Sequence, residues 1–312
     1  MKMGVNVDVD VMSIVKNAIM LIILLVVVLF IVTYFGLVNC SAIPFWCDIY
    51  ETVVGTPRVL IVHGDSGLGD PESLQIYLKD PRIVGAEAVD LQHINNISLG
   101  NLGNYKLVIV EHCRQASYEQ LQMFMNYVNQ GGRLVWVADS GVEKGANEVQ
   151  NISDINALVP LDDNPWVRVE KTGQYILNFD EFLTMRYIAN YCEEKDCVDD
   201  MFSVGALEPE PTRNHPLIFG SAAQMNFKIN KERNFAIVKQ IPNSPNSNVV
   251  MSLDFGGNIT GKENEIGRSV PFIVTSGIGN RVAYYAYPPE WLVQDNNSYI
   301  LIKNMYYGML GK

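Results

Sequence analysis

Three apolar runs each end in side chains that can do chemistry: His63-Gly64-Asp65 after RVLIV, Glu111-His112-Cys113 after YKLVIV, and Asp139-Ser140 after RLVWVA. In a parallel sheet, ligands gather beyond the carboxyl ends of the strands. His63, Asp65, Glu111, His112, Asp139 and Ser140 are therefore candidate ligand-binding residues. Two imidazoles with carboxylates are the donor types that bind zinc, with His63 and His112 as its alternative ligands, or that serve as base and acid in a hydrolase. A hydroxyl at a sharp turn after a buried strand is a common nucleophile position. The alternative catalytic residues are Ser140, Asp139 and His112. Against this stands a plainer account: strand ends meet loops, loops are polar, His63 can cap a backbone group, and Cys113 can fill a small space.

Two further stretches invite a chemical reading. The glycines of GDSGLGD (64–70) can admit a phosphate at a helix N-terminus. Their spacing is neither the dinucleotide fingerprint nor a P-loop, so a tight strand-to-helix turn is the expectation. In YPPEW (287–291), Tyr287 and Trp291 are amphipathic enough for a sugar platform, and Glu290 adds a carboxylate; Tyr287 and Glu290 join the ligand-binding candidates. The sequence calls for no cofactor apart from the zinc alternative.

The elements that must position these residues are legible from pattern. RVLIV, YKLVIV and RLVWVA are β-branched, continuous apolar runs, as in strands buried on both faces. AEAVDLQHI is a further strand. Pro71 suits a first helical turn, followed by ESLQIYLKD. SYEQLQMFMNYVNQ places Leu121, Phe124, Met125 and Val128 on one helical face. Ser117 and Gln120 form a capping box, and Gly131-Gly132 ends the helix. PFIVTSGIGNRVAYYAY reads as two strands around a glycine turn, and SYILIKNMYYGML as a closing helix. Alternation of strand and helix implies an α/β fold, a flavodoxin-like or Rossmann-like parallel sheet with helices on both faces. Residues 165–264, rich in Asn and Pro, read as an irregular or β-rich insertion.

Several of these stretches together resemble the class I glutamine amidotransferase-like superfamily, particularly its non-amidotransferase branches. NYKLVIVEH resembles the strand before that fold's oxyanion loop, and LQMFMNYVNQGGRLVWVADSG its helix, Gly-Gly turn and elbow strand. NHPLIFG (214–220), GIGNRVAYYAYPPEW and SYILIKNMYYGML resemble later segments. Active members carry Cys at the elbow, in a pattern of Gly, any residue, Cys, any residue, Gly, and a His-Pro-Glu as base. Here the run is ADSGV. Ser140 or Asp139 stands for the nucleophile, Val142 stands where the second Gly is expected, and Tyr287-Pro288-Pro289-Glu290 replaces the His-Pro-Glu. No His follows His215. A serine hydroxyl without a base is a poor nucleophile at neutral pH. The resemblance thus implies a non-catalytic, membrane-anchored relative.

The membrane enters through residues 18–38, an uncharged apolar run of 21 residues among the chain's 312. At about 1.5 Å rise per residue it covers roughly 30 Å, the depth of a bilayer core. A cleaved signal peptide would have a shorter apolar region and a small-residue cleavage site. The following NCSAIPFWC supplies neither, and LVNC only half resembles a lipoprotein box. Lys2, Lys16 and the amino terminus precede the run, and no Lys or Arg occurs from 39 to 57. The positive-inside rule places residues 1–17 in the cytoplasm and the rest outside the cell membrane. The expected organisation is tail 1–17, transmembrane helix 18–38, juxtamembrane stalk 39–56, and an extracytoplasmic domain over 57–312.

Cys40 with Cys47, and Cys192 with Cys197, are spaced to close small loops in an oxidising compartment, leaving Cys113; five independent thiols are the alternative. Asn39, Asn96, Asn151, Asn258 and Asn296 begin N-glycosylation sequons. A net charge of −11 without a basic stripe in the sequence argues against nucleic acid as a partner. The expected function is a membrane-anchored, catalytically degenerate amidotransferase-like module that binds or scaffolds protein partners in a cell-envelope or membrane complex. The alternative is a metal-assisted or Ser/Asp-centred hydrolase acting on an envelope amide, ester or glycan.

Overall fold

The structure is a computed structural model that describes residues 11–34, 43, 45–145, 148, 164–170, 175–200, 202–210, 215–242, 244, 247–296 and 299–311. The chain divides into two compact units: Met1–Gly55 with Gly311–Lys312, and Thr56–Leu310.

In the first unit, α1 (Val11–Tyr34) contains the segment Ile14–Thr33, whose mean hydropathy is 3.0. One helix is therefore long and apolar enough to cross a membrane, as the residue pattern implied. Within the expected stalk, Trp46–Val54 is helical (α2). The Trp46 indole N–H donates to Thr33 Oγ1 at 2.9 Å, and its ring meets Phe30 edge-on at 4.8 Å. Asn39 and Cys40 lie outside the described residues, as does the side chain of Cys47.

The second unit opens with strand–helix alternation. In order come β1 (Val59–His63), α3 (Pro71–Lys79), β2 (Val89–His93), α4 (Leu99–Leu102), β3 (Leu107–Val110), α5 (Tyr118–Asn129) and β4 (Arg133–Val137). Apart from the end residues His63 and Arg133, β1, β3 and β4 are wholly buried, which is why they read as unbroken apolar runs. Asp70 caps α3 by accepting from Ser73 N, with Pro71 in its first turn. Ser117 and Gln120 cap α5 reciprocally. Both caps satisfy backbone donors that a helix start leaves orphaned.

The middle of the chain supplies β5 (Val167–Val169), β6 (Ile176–Asn178), α6 (Phe179–Leu183), β7 (Met185–Asn190), α7 (Tyr191–Glu194), β8 (Phe202–Pro209), β9 (Met225–Ile229), β10 (Ala236–Gln240) and β11 (Asn248–Thr260). The chain closes with β12 (Glu265–Ser276), β13 (Val282–Tyr285), α8 (Pro289–Asn296) and α9 (Ile300–Leu310). Among the described residues one mixed sheet of nine strands forms, in the order β2-β1-β3-β4-β13-β12-β11-β8-β9. The first five pair parallel and the rest antiparallel. The parallel half has the flavodoxin-type order, with its switch point between β1 and β3. The central region is β-rich, and three of its strands lengthen the main sheet. β12 and β13 form the expected hairpin.

Candidate functional site

β4 runs into the turn that the sequence marks as an elbow. The left-handed residue of that turn is Ala138, with φ 51°, followed by Gly141 at φ 67°. In a nucleophile elbow the strained residue is the one thrust out of the sheet. Here that position carries a methyl group. Asp139 and Ser140 follow it, and both are buried.

The turn is held from every side. Its carbonyls accept hydrogen bonds from large buried side chains: Ala138 O from the Tyr284 hydroxyl at 3.1 Å, and Ser140 O from the indole N–H groups of Trp136 and Trp166, each at 2.9 Å. Gly141 O accepts from the Arg168 guanidinium at 2.5 Å. The Ser140 hydroxyl donates to Val110 O at 3.4 Å. Burial lowers the Arg168 pKa to about 10, with the Glu148 carboxylate opposing that shift.

Asp139 is a tie between elements. Its carboxylate accepts from Leu68 N at 2.8 Å, from Asn190 Nδ2 at 3.0 Å and from Arg114 Nη1 at 2.9 Å. Arg114 also pairs with Glu143 at 2.8 Å and Glu193 at 3.2 Å. The loop after β1, the segment after β3, the elbow and the end of β7 thus meet on one buried carboxylate. Sequence reasoning missed Arg114, Trp166, Arg168 and Asn190, because their roles depend on contacts between distant segments and on no local period.

The crevice at the switch point is filled by the chain's own loop. Gly64 N donates to His112 O at 2.9 Å, His112 N to Leu68 O at 2.9 Å, and Arg114 N to Ser66 O at 2.7 Å. Gly67, at φ 132°, lies so close that an added Cβ would stand 2.9 Å from Cys113 N and from the His112 carbonyl carbon. The glycines of GDSGLGD therefore serve close packing of backbone on backbone. His112 is itself left-handed, at φ 49°, and its Nδ1 is buried without a hydrogen-bond partner among the described residues. The ring of His63 meets that of His93 edge-on at 5.3 Å, and His93 Nε2 lies 3.2 Å from Asp65 Oδ1. His63 is thus partnered by the imidazole of the neighbouring strand β2. Among the described residues no three His, Cys, Asp or Glu side chains form a group that could hold a metal. Burial, then the charges of Asp139 and Asp65, push the thiol of Cys113 up to about 12.

Two of the candidates, far apart in sequence, come together under the loop. Glu111, directly after β3, and Glu290, in the first turn of α8, are both buried. Glu290 Oε1 accepts from Asp70 N at 2.9 Å, so it ties α8 to the cap of α3. Both oxygens of Glu111 and Oε2 of Glu290 have no hydrogen-bond partner among the described residues. Burial first, then the charges of Glu290, Asp70 and Glu72, raise the Glu111 pKa well above the carboxylate range. Burial raises that of Glu290 to about 8, against the hydrogen bonds from Asp70 and its own backbone. At neutral pH this pair is held largely as neutral acids. Tyr287 is also fully buried, its ring 4.9 Å from Phe227 and 5.3 Å from Trp291. It is core, and offers no face to a sugar.

Of the other expected residues, Cys192 and Cys197 form a disulfide. Asn96 and Asn258 are exposed, whereas Asn151 and the side chain of Asn296 lie outside the described residues. Open concavities occur away from the elbow, on the antiparallel part of the sheet. One of about 410 Å³ is lined by Ser203, Gly205, Glu208, Asn226, Asp254 and Arg268.

No family model and no curated protein matches the sequence. Among solved structures, the chain is similar to a ThuA-like protein from Bacteroides uniformis ATCC 8492, with TM-score 0.53 and 13% identity over 80% of this chain and 91% of that one. That protein has the class I glutamine amidotransferase-like fold. A β-galactosidase from Rahnella sp. R3 aligns at TM-score 0.47 and 11% identity, over 84% of this chain and 32% of that one. An α-L-fucosidase isoenzyme 2 from Paenibacillus thiaminolyticus aligns at TM-score 0.43 and 8% identity, over 85% and 35%. The chain spans about a third of the length of these two glycosidases. At 13% identity the likeness to the ThuA-like protein shows a shared fold and carries no activity across.

Proposed function

We propose that this chain is a single-pass membrane protein whose extracytoplasmic domain keeps an amidotransferase-like framework without hydrolytic machinery, and acts as a binding or scaffolding module in a cell-envelope complex. One observation carries the reading: the strained elbow position is Ala138, while the flanking Asp139 and Ser140 are buried and hydrogen-bonded within the fold. A nucleophile needs an approach path and an adjacent base. Ser140 has a backbone carbonyl as its hydrogen-bond acceptor instead. The N-terminus lies in the cytoplasm, by the charge asymmetry about α1. The disulfide fits an oxidising compartment outside it. Zinc at His63 and His112 is the weaker reading, because the ring of His63 is engaged with His93.

The test is turnover by the full chain purified in detergent, against a panel of amides, esters and aryl glycosides. The expected result is no rate above the uncatalysed background. A rate abolished by Ser140→Ala or His112→Ala would overturn the proposal in favour of a hydrolase. Cross-linking in native membranes tests the scaffolding half: the chain should be recovered with discrete protein partners, and recovery of the chain alone counts against it.

A further inference from the structure

The parallel strands share a charge pattern at the end opposite the elbow. Arg58 precedes β1, Lys106 precedes β3, Arg133 opens β4 and Arg281 precedes β13. The ladder sets these residues side by side. Lys106 N donates to Arg58 O at 3.0 Å, Leu107 is the register partner of Arg133, and Leu134 N donates to Arg281 O at 2.9 Å. A sequence scan finds no basic run, because the four residues come from separate segments and meet only through pairing.

Arg58 is ion-paired with Asp90 at 2.7 Å, and Glu87 precedes β2 at the same end. The surplus positive charge therefore rests on Lys106, Arg133 and Arg281. Lys106 and Arg281 are exposed and enter no ion pair among the described residues. The Arg133 guanidinium donates to the carbonyl of Met309. At the other end of the same strands stand Asp65, Asp70, Glu72, Glu143 and Glu193, with Arg114 among them. The domain is thus polarised along its strands, basic at one end and acidic at the other.

Two more features belong to the basic end. The β12–β13 hairpin turns there, and its tip, Ile278, lies between Gly277 and Gly279, both with positive φ, and is 83% exposed. The chain also enters the domain there, since Thr56 and Pro57 lead directly into β1.

We propose that this basic end of the sheet is a docking surface for anionic lipid headgroups, with Ile278 entering the interfacial layer. The inference rests on the reading of α1 as a membrane anchor. A chain of net charge −11 is repelled as a whole by an anionic surface. Screening confines that interaction to about 8 Å at physiological salt, so the nearest face decides the orientation. Basic residues near the headgroups are attracted and the acidic elbow end is not. An isoleucine on a short glycine-flanked tip can enter the interface without unfolding the hairpin.

The full chain should be reconstituted in nanodiscs of phosphatidylcholine alone or mixed with phosphatidylglycerol. Cys40 and Cys47 are replaced by Ser, and an environment-sensitive dye is placed on Ile278→Cys. The expected result is a blue-shifted emission in the mixed discs relative to phosphatidylcholine. That shift should return to the phosphatidylcholine level in Lys106→Glu/Arg281→Glu, in the milder Lys106→Gln/Arg281→Gln, or in high salt. A dye on Asp65→Cys, at the acidic end, should not respond. Equal emission from the Ile278 position in both discs, or a shift that survives the charge reversals, overturns the docking surface alone. Failure of the chain to co-float with phosphatidylcholine vesicles overturns the anchor, and the inference with it.

Discussion

Asp139 shows how a residue placed for chemistry becomes structural. It is 1% exposed, yet its carboxylate has donors from three segments, and Arg114 is its counter-ion. Removing one partner of a buried pair leaves an uncompensated charge. Arg114→Met should therefore destabilise the fold by about 2 kcal/mol, less than for a fully buried pair because Arg114 is partly in water. Arg114→Lys should recover only part of this, since one ammonium cannot match a planar fork that reaches Asp139, Glu143 and Glu193 together. Urea unfolding of the three proteins measures both. The Glu111–Glu290 pair makes a second prediction, with its sign fixed by linkage. Both folded pKa values lie above the unfolded carboxylate value, so the stability tied to protonation is complete below about pH 4.3. It is lost as pH rises through the folded values, of which Glu290's is about 8. Asp70 and Glu72 add to the raising of Glu111, and Arg233 opposes that of Glu290. Asp80, held at about 2 chiefly by its hydrogen bond from Arg82, changes in the opposite sense and only at lower pH. Between about pH 5 and 8 the unfolding midpoint should fall, by up to roughly 1.4 kcal/mol per pH unit for each titrating group. Glu111→Gln/Glu290→Gln should flatten that slope. A flat wild-type profile would show that the pair is not held as acids.

At the scale of elements, the switch-point loop carries the next prediction. Gly67→Ala would set a Cβ against the backbone of residues 112 and 113, at a φ that disfavours any side chain. The loop must then lift from the segment after β3 or strain it, and we expect a loss of about 2 kcal/mol with faster proteolysis within residues 64–70. Gly256→Ala is the control: it also has positive φ, but nothing lies near the added atom. A loss no greater at Gly67 than at Gly256 would put the effect down to backbone conformation alone. The same loop marks the limit of what the sequence discloses. The strands β1, β3 and β4, the α5 capping box and the β12–β13 hairpin were legible because local period and cap chemistry specify them. β8, with only Leu207 buried, and β11, with its exposed glycine-containing end, were not, because their pairing depends on partners far along the chain. Glu111 and Glu290 were legible as candidates, yet their pairing was not. Nor does any period reveal that the left-handed residue is Ala138 and not its polar neighbours.

For the whole molecule, the apolar helix and the disulfide make claims that one set of preparations can separate. If α1 spans a bilayer, the chain should remain in membranes through an alkaline carbonate wash. A charged residue at the centre of a spanning helix costs roughly 3 kcal/mol on insertion scales. Leu24→Arg/Val28→Arg should therefore release most of the chain into the wash. The disulfide concerns which compartment the domain occupies. A domain outside the cytoplasm should carry Cys192–Cys197 oxidised as isolated, so alkylation without reductant should leave both unmodified while a reduced sample gains two adducts. Cys113, buried and with its thiol pushed up to about 12, should react in neither case until the protein is unfolded. Closing so short a loop is worth roughly 2 kcal/mol on the chain-entropy account, so Cys192→Ser/Cys197→Ser should lower the unfolding midpoint without preventing folding. The two claims fail independently. Membrane retention with alkylated Cys192 and Cys197 would place the domain on the cytoplasmic side of the same anchor, and would reverse the orientation inferred from Lys2 and Lys16. An oxidised pair in a chain freely washed from the membrane would instead keep the compartment and remove the anchor, leaving the basic end of the sheet without the lipid surface it is proposed to face.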